Sequence, residues 1–494
     1  MSRKPGVKAR TRTTARKKAA AKSKSVGRAA TAVPQPGRAT PPAGSFGVSV
    51  RMYRLGVGDC FLVSLARPDG SKFRILIDCG VHQSQAGGGD LINRVVDHLH
   101  KETEGKIDVV VATHEHWDHI SGFSQAEALF RTFAVGEVWV AWTEKAGDAF
   151  AKTLKDKRDR AIKALAQAEA RFHLAGRSGA DNALTGLLGF FGDTTGAKLA
   201  KAGKVLKDLA GGEAKVKYRE PGEAPIELDG MNARIFVLGP PRDKAAIQRS
   251  APRTGKDANE VYSFGAYGAA LDVIELAFEN QGNAPFDSRF AIPLAGTKAV
   301  EFFQQTYWAD RAPDPAGRVD TTQAWRRIDD DWLGAATSLG LKLDEDTNNT
   351  SLVLALELGP ADVGGPVLLF AADAQVGNWQ SWQKVEWKDV HGRHVTGPDL
   401  LKRTILYKVG HHASHNATLS TLGLELMDAL ELAFVPTDDK MAKKVGWGTL
   451  PWPKLLKRLD EKTKGRVVRA DRQLSASSAA RGVVDNPLFY QIDL

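Results

Sequence analysis

The feature that most limits what this chain can fold into is the run Ile107-Asp108-Val109-Val110-Val111-Ala112-Thr113, which leads directly into His114-Glu115-His116-Trp117-Asp118-His119. A short, nearly continuous β-branched run reads as a strand buried on both faces. Ending such a strand on His114, His116, Asp118 and His119 places a dense set of metal-ligand groups at the end of a sheet. On a helix, His114 and His116 would diverge by about 200°, so converging on one ion requires a turn, which the loop after the strand supplies. His119 then opens a helix, with Asp118 and His119 directed at a second ion. A polar loop with histidines paired to carboxylates is the plain structural alternative. Imidazole and carboxylate at this density argue instead for zinc first, with manganese or iron as alternatives.

Upstream, VSVRMYRLGVGDCFLVSL and SKFRILIDCG have strand character and flank the turn Pro68-Asp69-Gly70-Ser71, and LINRVVDHLHKE reads as a helix. Pairing Arg67 with Lys72 across that turn sets Cys60 opposite Cys79, the only two cysteines. Directly opposed strand residues rarely have good disulfide geometry, so two reduced, packed thiols are expected. Downstream, Ala, Lys and Leu spacing from about 144 to 216 predicts a helical insertion, and a less regular insertion runs from about 243 to 345. Strands are expected at 233–238, 351–356, 366–370 and 404–409, the last directly ahead of His411. Residues 46–494 are thus one domain with insertions, since a chain of 494 residues exceeds one ordinary core.

The run 114–119 matches the H-x-H-x-D-H signature of the metallo-β-lactamase superfamily, and further segments resemble it in the expected order. Ile75-Leu76-Ile77-Asp78-Cys79-Gly80 is similar to the strand whose terminal Asp supports the histidine loop. Leu368-Leu369-Phe370-Ala371-Ala372-Asp373-Ala374 resembles the segment whose Asp bridges both ions, with Ala372 standing where the family usually has Gly. Lys408-Val409-Gly410-His411-His412 resembles the segment supplying the last histidine ligand. Within the superfamily, Gly56-Val57-Gly58-Asp59, Asn348-Asn349-Thr350-Ser351, the pair His411-His412 and Thr449-Leu450-Pro451-Trp452 bring the chain closest to the hydrolase domain of DNA-uptake channel proteins and to the phosphorylcholine esterases.

The resemblance implies an α/β fold, an αββα sandwich with the metal site at one edge where strand ends converge and the insertions at the rim. It implies two divalent ions held by His114, His116, Asp118, His119, Asp373 and His412. Asp118, His119 and Asp373 would act in catalysis, and Asp78, Asp59, His411 and Asn349 would support the ligands or meet substrate. Of His411 and His412, the esterase resemblance favours His412 as the ligand. One departure matters: the third histidine of the first metal has only His173 as a candidate, inside the helical insertion, so Asn348, Asn349 or water would take its place. His82, His98, His100, His391, His394 and His415 read as surface or packed residues.

Two cations about 3.5 to 4 Å apart can lower the pKa of a shared water and stabilise charge on phosphate or carbonyl, so the expected activity is that of a phosphodiesterase or nuclease. Hydrolysis of an ester, lactone or amide, or a nucleic-acid-binding scaffold with a vestigial site, are the competing readings. Residues 1 to 45 hold twelve Lys or Arg and no Asp or Glu, leaving 56 basic against 58 acidic residues in a nearly neutral body. This apolar-poor tail is expected to be disordered, and its cations suit DNA or RNA as well as a merely solubilising extension. No membrane span and no apolar secretory segment are present in the sequence, so a cytoplasmic location is expected.

Overall fold

The computed structural model describes residues 46–174, 186–192, 196–251, 299–307, 331–444, 447 and 449–494. The basic tail and most of the second insertion lie outside the described residues.

Seventeen strands form two large mixed sheets and a hairpin among the described residues. The first sheet contains β1 (Val48–Tyr53), β2 (Phe61–Ala66), β3 (Lys72–Ile77), β4 (Lys106–Val111), β5 (Ala134–Ala141), β6 (Val216–Arg219), β16 (Val484–Asn486) and β17 (Phe489–Asp493), in the order β16-β17-β1-β2-β3-β4-β5-β6. The second contains β7 (Ile226–Glu227), β8 (Ala233–Gly239), β9 (Val353–Leu358), β10 (Val367–Phe370), β13 (Thr404–Lys408), β14 (Leu432–Val435) and β15 (Val467–Arg469), in the order β15-β14-β13-β10-β9-β8-β7. The hairpin is β11 (Glu386–Val390) with β12 (Arg393–Thr396).

Residues two apart on a strand share a face, and this period sorts the cores. Val48, Val50, Ile75, Ile77, Val109 and Val111 of the first sheet meet Leu354, Leu356, Leu368, Phe370 and Leu406 of the second in one apolar layer between the sheets. The intervening Leu76 and Val110 turn outward to a second layer with Val95, Val96 and Leu99 of the helix Gly88–Thr103 and with Ile120 and Phe123 of the helix Trp117–Gln125. On the far side Val353, Ala355, Val367, Leu369 and Tyr407 pack with Trp379 and Trp382 of the helix Val376–Trp382. The layers are helix, sheet, sheet, helix, as expected for the αββα sandwich.

Strands β3, β4 and β5 are parallel, as are β10, β13 and β14. The carboxyl ends of β3, β4, β10 and β13 carry Asp78, His114, Asp373 and His412. One expectation needs correction. The hairpin pairs Ala66 with Lys72 and Phe61 with Ile77, one residue out of the expected register, because Arg67 belongs to the turn, where its N–H donates to Ser71 O. Cys60 and Cys79 lie just beyond the paired residues as buried free thiols. The run 134–141, which sequence periodicity did not single out, is a full strand, and the helix Asp331–Asn348 closes the second insertion.

Candidate metal centre

Strand β4 ends at Val111, and Ala112 to His116 run as an irregular loop before the helix Trp117–Gln125. Asp78, at the end of the neighbouring parallel strand, sets the shape of that loop. Its Oδ1 accepts from Thr113 N at 2.8 Å, and its Oδ2 accepts from Thr113 Oγ1 at 2.7 Å and from His119 Nδ1 at 2.8 Å. A buried carboxylate that accepts from Nδ1 leaves Nε2 of His119 facing inward as the nitrogen an ion could take, which is how supporting groups orient metal-binding imidazoles. The helix carrying Asp118 and His119 lies directly on the chain after β3: Cys79 N donates to His119 O, and Asp59 N donates to Asp118 O. Gly80 permits this contact, since a Cβ there would press on the Asp118 carbonyl and come within 2.5 Å of His119 N.

The second sheet brings the other half. His412 Nδ1 donates to Pro436 O at 2.7 Å, so Nε2 is the nitrogen it can offer to an ion. That nitrogen is 3.0 Å from Asp118 Oδ2 and 3.6 Å from Asp373 Oδ2, while His119 Nε2 is 3.1 Å from Asp373 Oδ2. One ligand atom each from Asp118, His119, Asp373 and His412 lie within 4.8 Å of one another, all buried. His119 Nε2, Asp118 Oδ1 and Asp373 Oδ2 have no hydrogen-bond partner. Buried polar atoms without partners are rare, and three such atoms, together with His412 Nε2, converging on one point fit a cation.

The electrostatics agree with that fit. Burial disfavours charge on every member, yet Asp373, Asp118, Asp78 and Asp59 hold the His119 imidazole well above its ordinary range, and Asp373 and Asp118 raise His412. Burial alone would also raise Asp118 and Asp373, but His119 and His412 pull both down, with Lys408 adding to the effect on Asp373. Negative carboxylates that retain protons on adjacent imidazoles form a site with demand for positive charge, which a divalent ion meets by displacing those protons.

His114 and His116 form a second convergence, His114 Nε2 lying 3.0 Å from His116 Nδ1. His114 Nδ1 is 3.1 Å from Thr113 Oγ1, whose own proton goes to Asp78, so Nδ1 is the donor and Nε2 is free. Burial and the neighbouring histidines push His114 well below the usual imidazole range, and burial lowers His116 to about 3, so both stay neutral as ligands require. Among the described residues no third His, Cys, Asp or Glu completes this pair in the way that Asp118 and His412 complete the other. The side chain of His173 lies outside the described residues.

His411 turns away from the quartet. Its Nε2 faces Asn348 Nδ2 at 3.3 Å, its Nδ1 meets Ser414 Oγ at 3.0 Å, and burial lowers it to about 4. Asn349 touches no member of the cluster: its Oδ1 accepts from Gln375 N and Asn378 N, and its Nδ2 donates to Arg249 O. The neighbouring Asn348 donates from Nδ2 to Asp344 Oδ2 and faces His411 Nε2. Asp59 serves a residue that sequence reasoning passed over. Lys408 Nζ lies 2.5 Å from Asp59 Oδ2, 3.2 Å from Asp373 Oδ1 and 2.8 Å from Ala372 O, and despite its burial these carboxylates keep it charged. Asp373 Oδ1 also accepts from His411 N, which leaves Oδ2 alone to face the cluster. A lysine at the end of the otherwise apolar TILYK strand was the available signal.

The insertions reach further inward than the rim. Phe190 and Phe191 pack on the His116 ring at 5.4 and 5.1 Å between centroids, Arg158 pairs with Glu115, and Asp344 Oδ1 lies 3.8 Å from His116 Nε2.

Two mixed sheets between helical layers, with a buried His and Asp cluster where strand ends of both sheets meet, define a protein of the metallo-β-lactamase fold. The family model for the metallo-beta-lactamase superfamily matches residues 53–150, from the end of β1 through β5 and including the run 114–119. No curated protein and no solved structure matches the chain. The cluster is compatible with a metal-dependent hydrolase, and no helix among the described residues is long and apolar enough to cross a membrane.

Proposed function

We propose that the protein is a hydrolase dependent on two divalent metal ions and acting on phosphodiesters, with DNA or RNA as the natural polymeric form of that substrate. The observation that carries this is the quartet Asp118, His119, Asp373 and His412, whose buried ligand atoms converge from both sheets, those of the first three including atoms without hydrogen-bond partners. These four would hold one ion, and His114 with His116 would hold the other. Zinc suits this donor set best, with manganese or iron next. Bound ions would supply an acidified water and positive charge opposite the developing oxyanion. The chain's own residues do the rest. Asp78 and the Pro436 carbonyl fix the imidazole tautomers, Lys408 and His411 N hold Asp373 by Oδ1, and the buried surroundings exclude competing water.

The basic tail favours a polyanion over a small ester, because twelve cations on a nearly neutral body would release counterions from nucleic acid. Ester, lactone or amide hydrolysis by the same site remains the second reading. A screen of the zinc- and manganese-loaded full chain against bis-p-nitrophenyl phosphate, a lactone, a β-lactam and single-stranded DNA separates them. The expected result is phosphodiester turnover that Asp118→Ala and His119→Ala abolish while circular dichroism stays unchanged. Turnover of the lactone alone would favour the second reading. Wild-type protein that takes up no metal and cleaves nothing would leave a binding scaffold.

A further inference from the structure

Beyond His114, the side chain of His116 is met by residues of the two insertions. Its ring lies against Phe190 and Phe191 of the first, and its outer nitrogen faces Asp344 on the last helix of the second, Asp331–Asn348. A neutral imidazole carries a proton on one nitrogen only. If His116 Nδ1, which faces His114, gives its lone pair to an ion, the proton must sit on Nε2. That nitrogen is buried, with the residue 1% exposed, and has no hydrogen-bond partner. A buried N–H left without an acceptor keeps the full cost of its lost hydration. Asp344 Oδ1 is in the same condition, buried and partnerless, 3.8 Å away. The other oxygen of Asp344 accepts from Asn348 Nδ2 at 3.0 Å one helical turn on, so the carboxylate is anchored with its free oxygen toward the histidine.

We infer that Asp344 is the positioning residue for the first metal ligand pair: it accepts the Nε2 proton of His116 in a hydrogen bond and thereby directs Nδ1 of that histidine at the ion shared with His114. A displacement of about 1 Å brings the pair from its present separation to ordinary hydrogen-bond length. Docking of the insertion helix is then coupled to occupancy of the first site, and the departure from a three-histidine site is offset by stiffening one of the two histidines that remain. The inference rests on the two-ion reading above but not on any particular substrate.

The test is zinc uptake by the full-length chelated protein, titrated against a chromophoric competitor, for wild type, Asp344→Ala and Asp344→Asn. Wild type should take two ions. Asp344→Ala should bind one with unchanged affinity and the other about 10- to 100-fold more weakly, the usual effect of removing such a partner. Asp344→Asn should recover most of that loss, since its amide oxygen can accept from His116 while its NH2 meets Asn348 Oδ1, itself buried without a partner. In the cobalt-substituted protein, the visible spectrum of the weaker site should change in Asp344→Ala and return in Asp344→Asn. Unchanged affinities in Asp344→Ala overturn the proposal, as does equal weakening of both ions, which would mark a general effect on the fold. Should Asp344→Ala not fold, Asn348→Ala carries the test by releasing the carboxylate: a weaker first ion supports the role, and two unchanged ions overturn it. Wild type that binds no ion overturns the two-ion reading itself, a result distinct from any of these.

Discussion

Lys408 offers the most exacting test of how the centre is built, because its ammonium is a fixed cation beside the cluster. The lysine and Asp59 are both about 2% exposed on their side chains and 2.5 Å apart, and Lys408 also reaches Asp373 Oδ1. Lys408→Met keeps the volume and removes the charge, leaving Asp59 as an uncompensated buried carboxylate. Breaking one partner of such a pair costs about 3–5 kcal/mol, whereas removing both charges together is often nearly neutral. Asp59→Asn alone should cost less than the lysine change, since Lys408 keeps Asp373 and the Ala372 carbonyl. The double variant Lys408→Met/Asp59→Asn should therefore be more stable than Lys408→Met alone, with a coupling energy of about 2 kcal/mol or more. Urea denaturation of chelated protein measures this without metal linkage. Strict additivity of the two single changes would refute the pairing. A Lys408→Met variant within about 1 kcal/mol of wild type would refute the burial of an obligatory cation.

On the proposed two-ion reading the ligand sets are unequal, so graded chelation should leave a species with one ion before none, and simultaneous loss of both would contradict that reading. Because His119 and His412 hold protons above the ordinary imidazole value in the metal-free site, loading near neutral pH should release protons, read by calorimetry in buffers of different ionisation enthalpy; no release would contradict the raised values. Glu357 is buried among Arg234, Arg393 and Arg403. Burial would raise its carboxyl, but the three guanidinium groups outweigh it and lower it, so its stabilisation is present above the unfolded value of about 4.3 and is lost as pH falls through the folded one. Glu357→Gln should thus destabilise at pH 7 by about 3 kcal/mol and flatten the acid limb of stability against pH; an unchanged limb would dismiss the cluster as a source of pH dependence. Gly80→Ala, which meets backbone rather than a flexible side chain, should cost about 1–3 kcal/mol and lower zinc uptake, and a variant with wild-type uptake would show that the Asp118 turn can yield.

Much of the fold was legible because several of the sheet strands announce themselves locally. The runs ending at Ile77, Val111, Phe370 and Lys408 alternate between an inter-sheet layer and an outer layer, and that period survives in the sequence without knowledge of partners. Register was less legible. Arg67 and Ala66 are both acceptable last residues before the turn, and only the Ser71 carbonyl, taken by Arg67 N, settles which one pairs. Strand β5 was missed because Gly136 and Glu137 interrupt its apolar pattern on a strand flanked on both sides by others of its sheet.

At the centre, the residues legible in advance are those whose spacing is local, such as His114, His116, Asp118 and His119, or whose segment has a characteristic strand before it, such as Asp78, Asp373 and His412. Lys408 and Asp344 act through partners far away in the chain, and nothing in their own neighbourhoods distinguishes a buried cation from a solvated one or a helical carboxylate from a surface one. The backbone explains why local rules also fail here. Asp78, Ala372, His411, His412 and Ala413 all lie at positive φ, between 39° and 65°, where a side chain costs about 1–2 kcal/mol relative to glycine. Ala372 occupies the position where glycine was expected, and its φ of 48° shows the physical basis of that expectation. Such strain persists only where surrounding contacts over-determine it, and here they do: His411 N is shared by Ala372 O and Asp373 Oδ1, Lys408 grips Ala372 O, and the Pro436 carbonyl holds His412. The left-handed turn at 411–413 is what separates the two histidines, sending His412 into the quartet and His411 toward Asn348, so the choice between them lay in backbone conformation rather than in residue type.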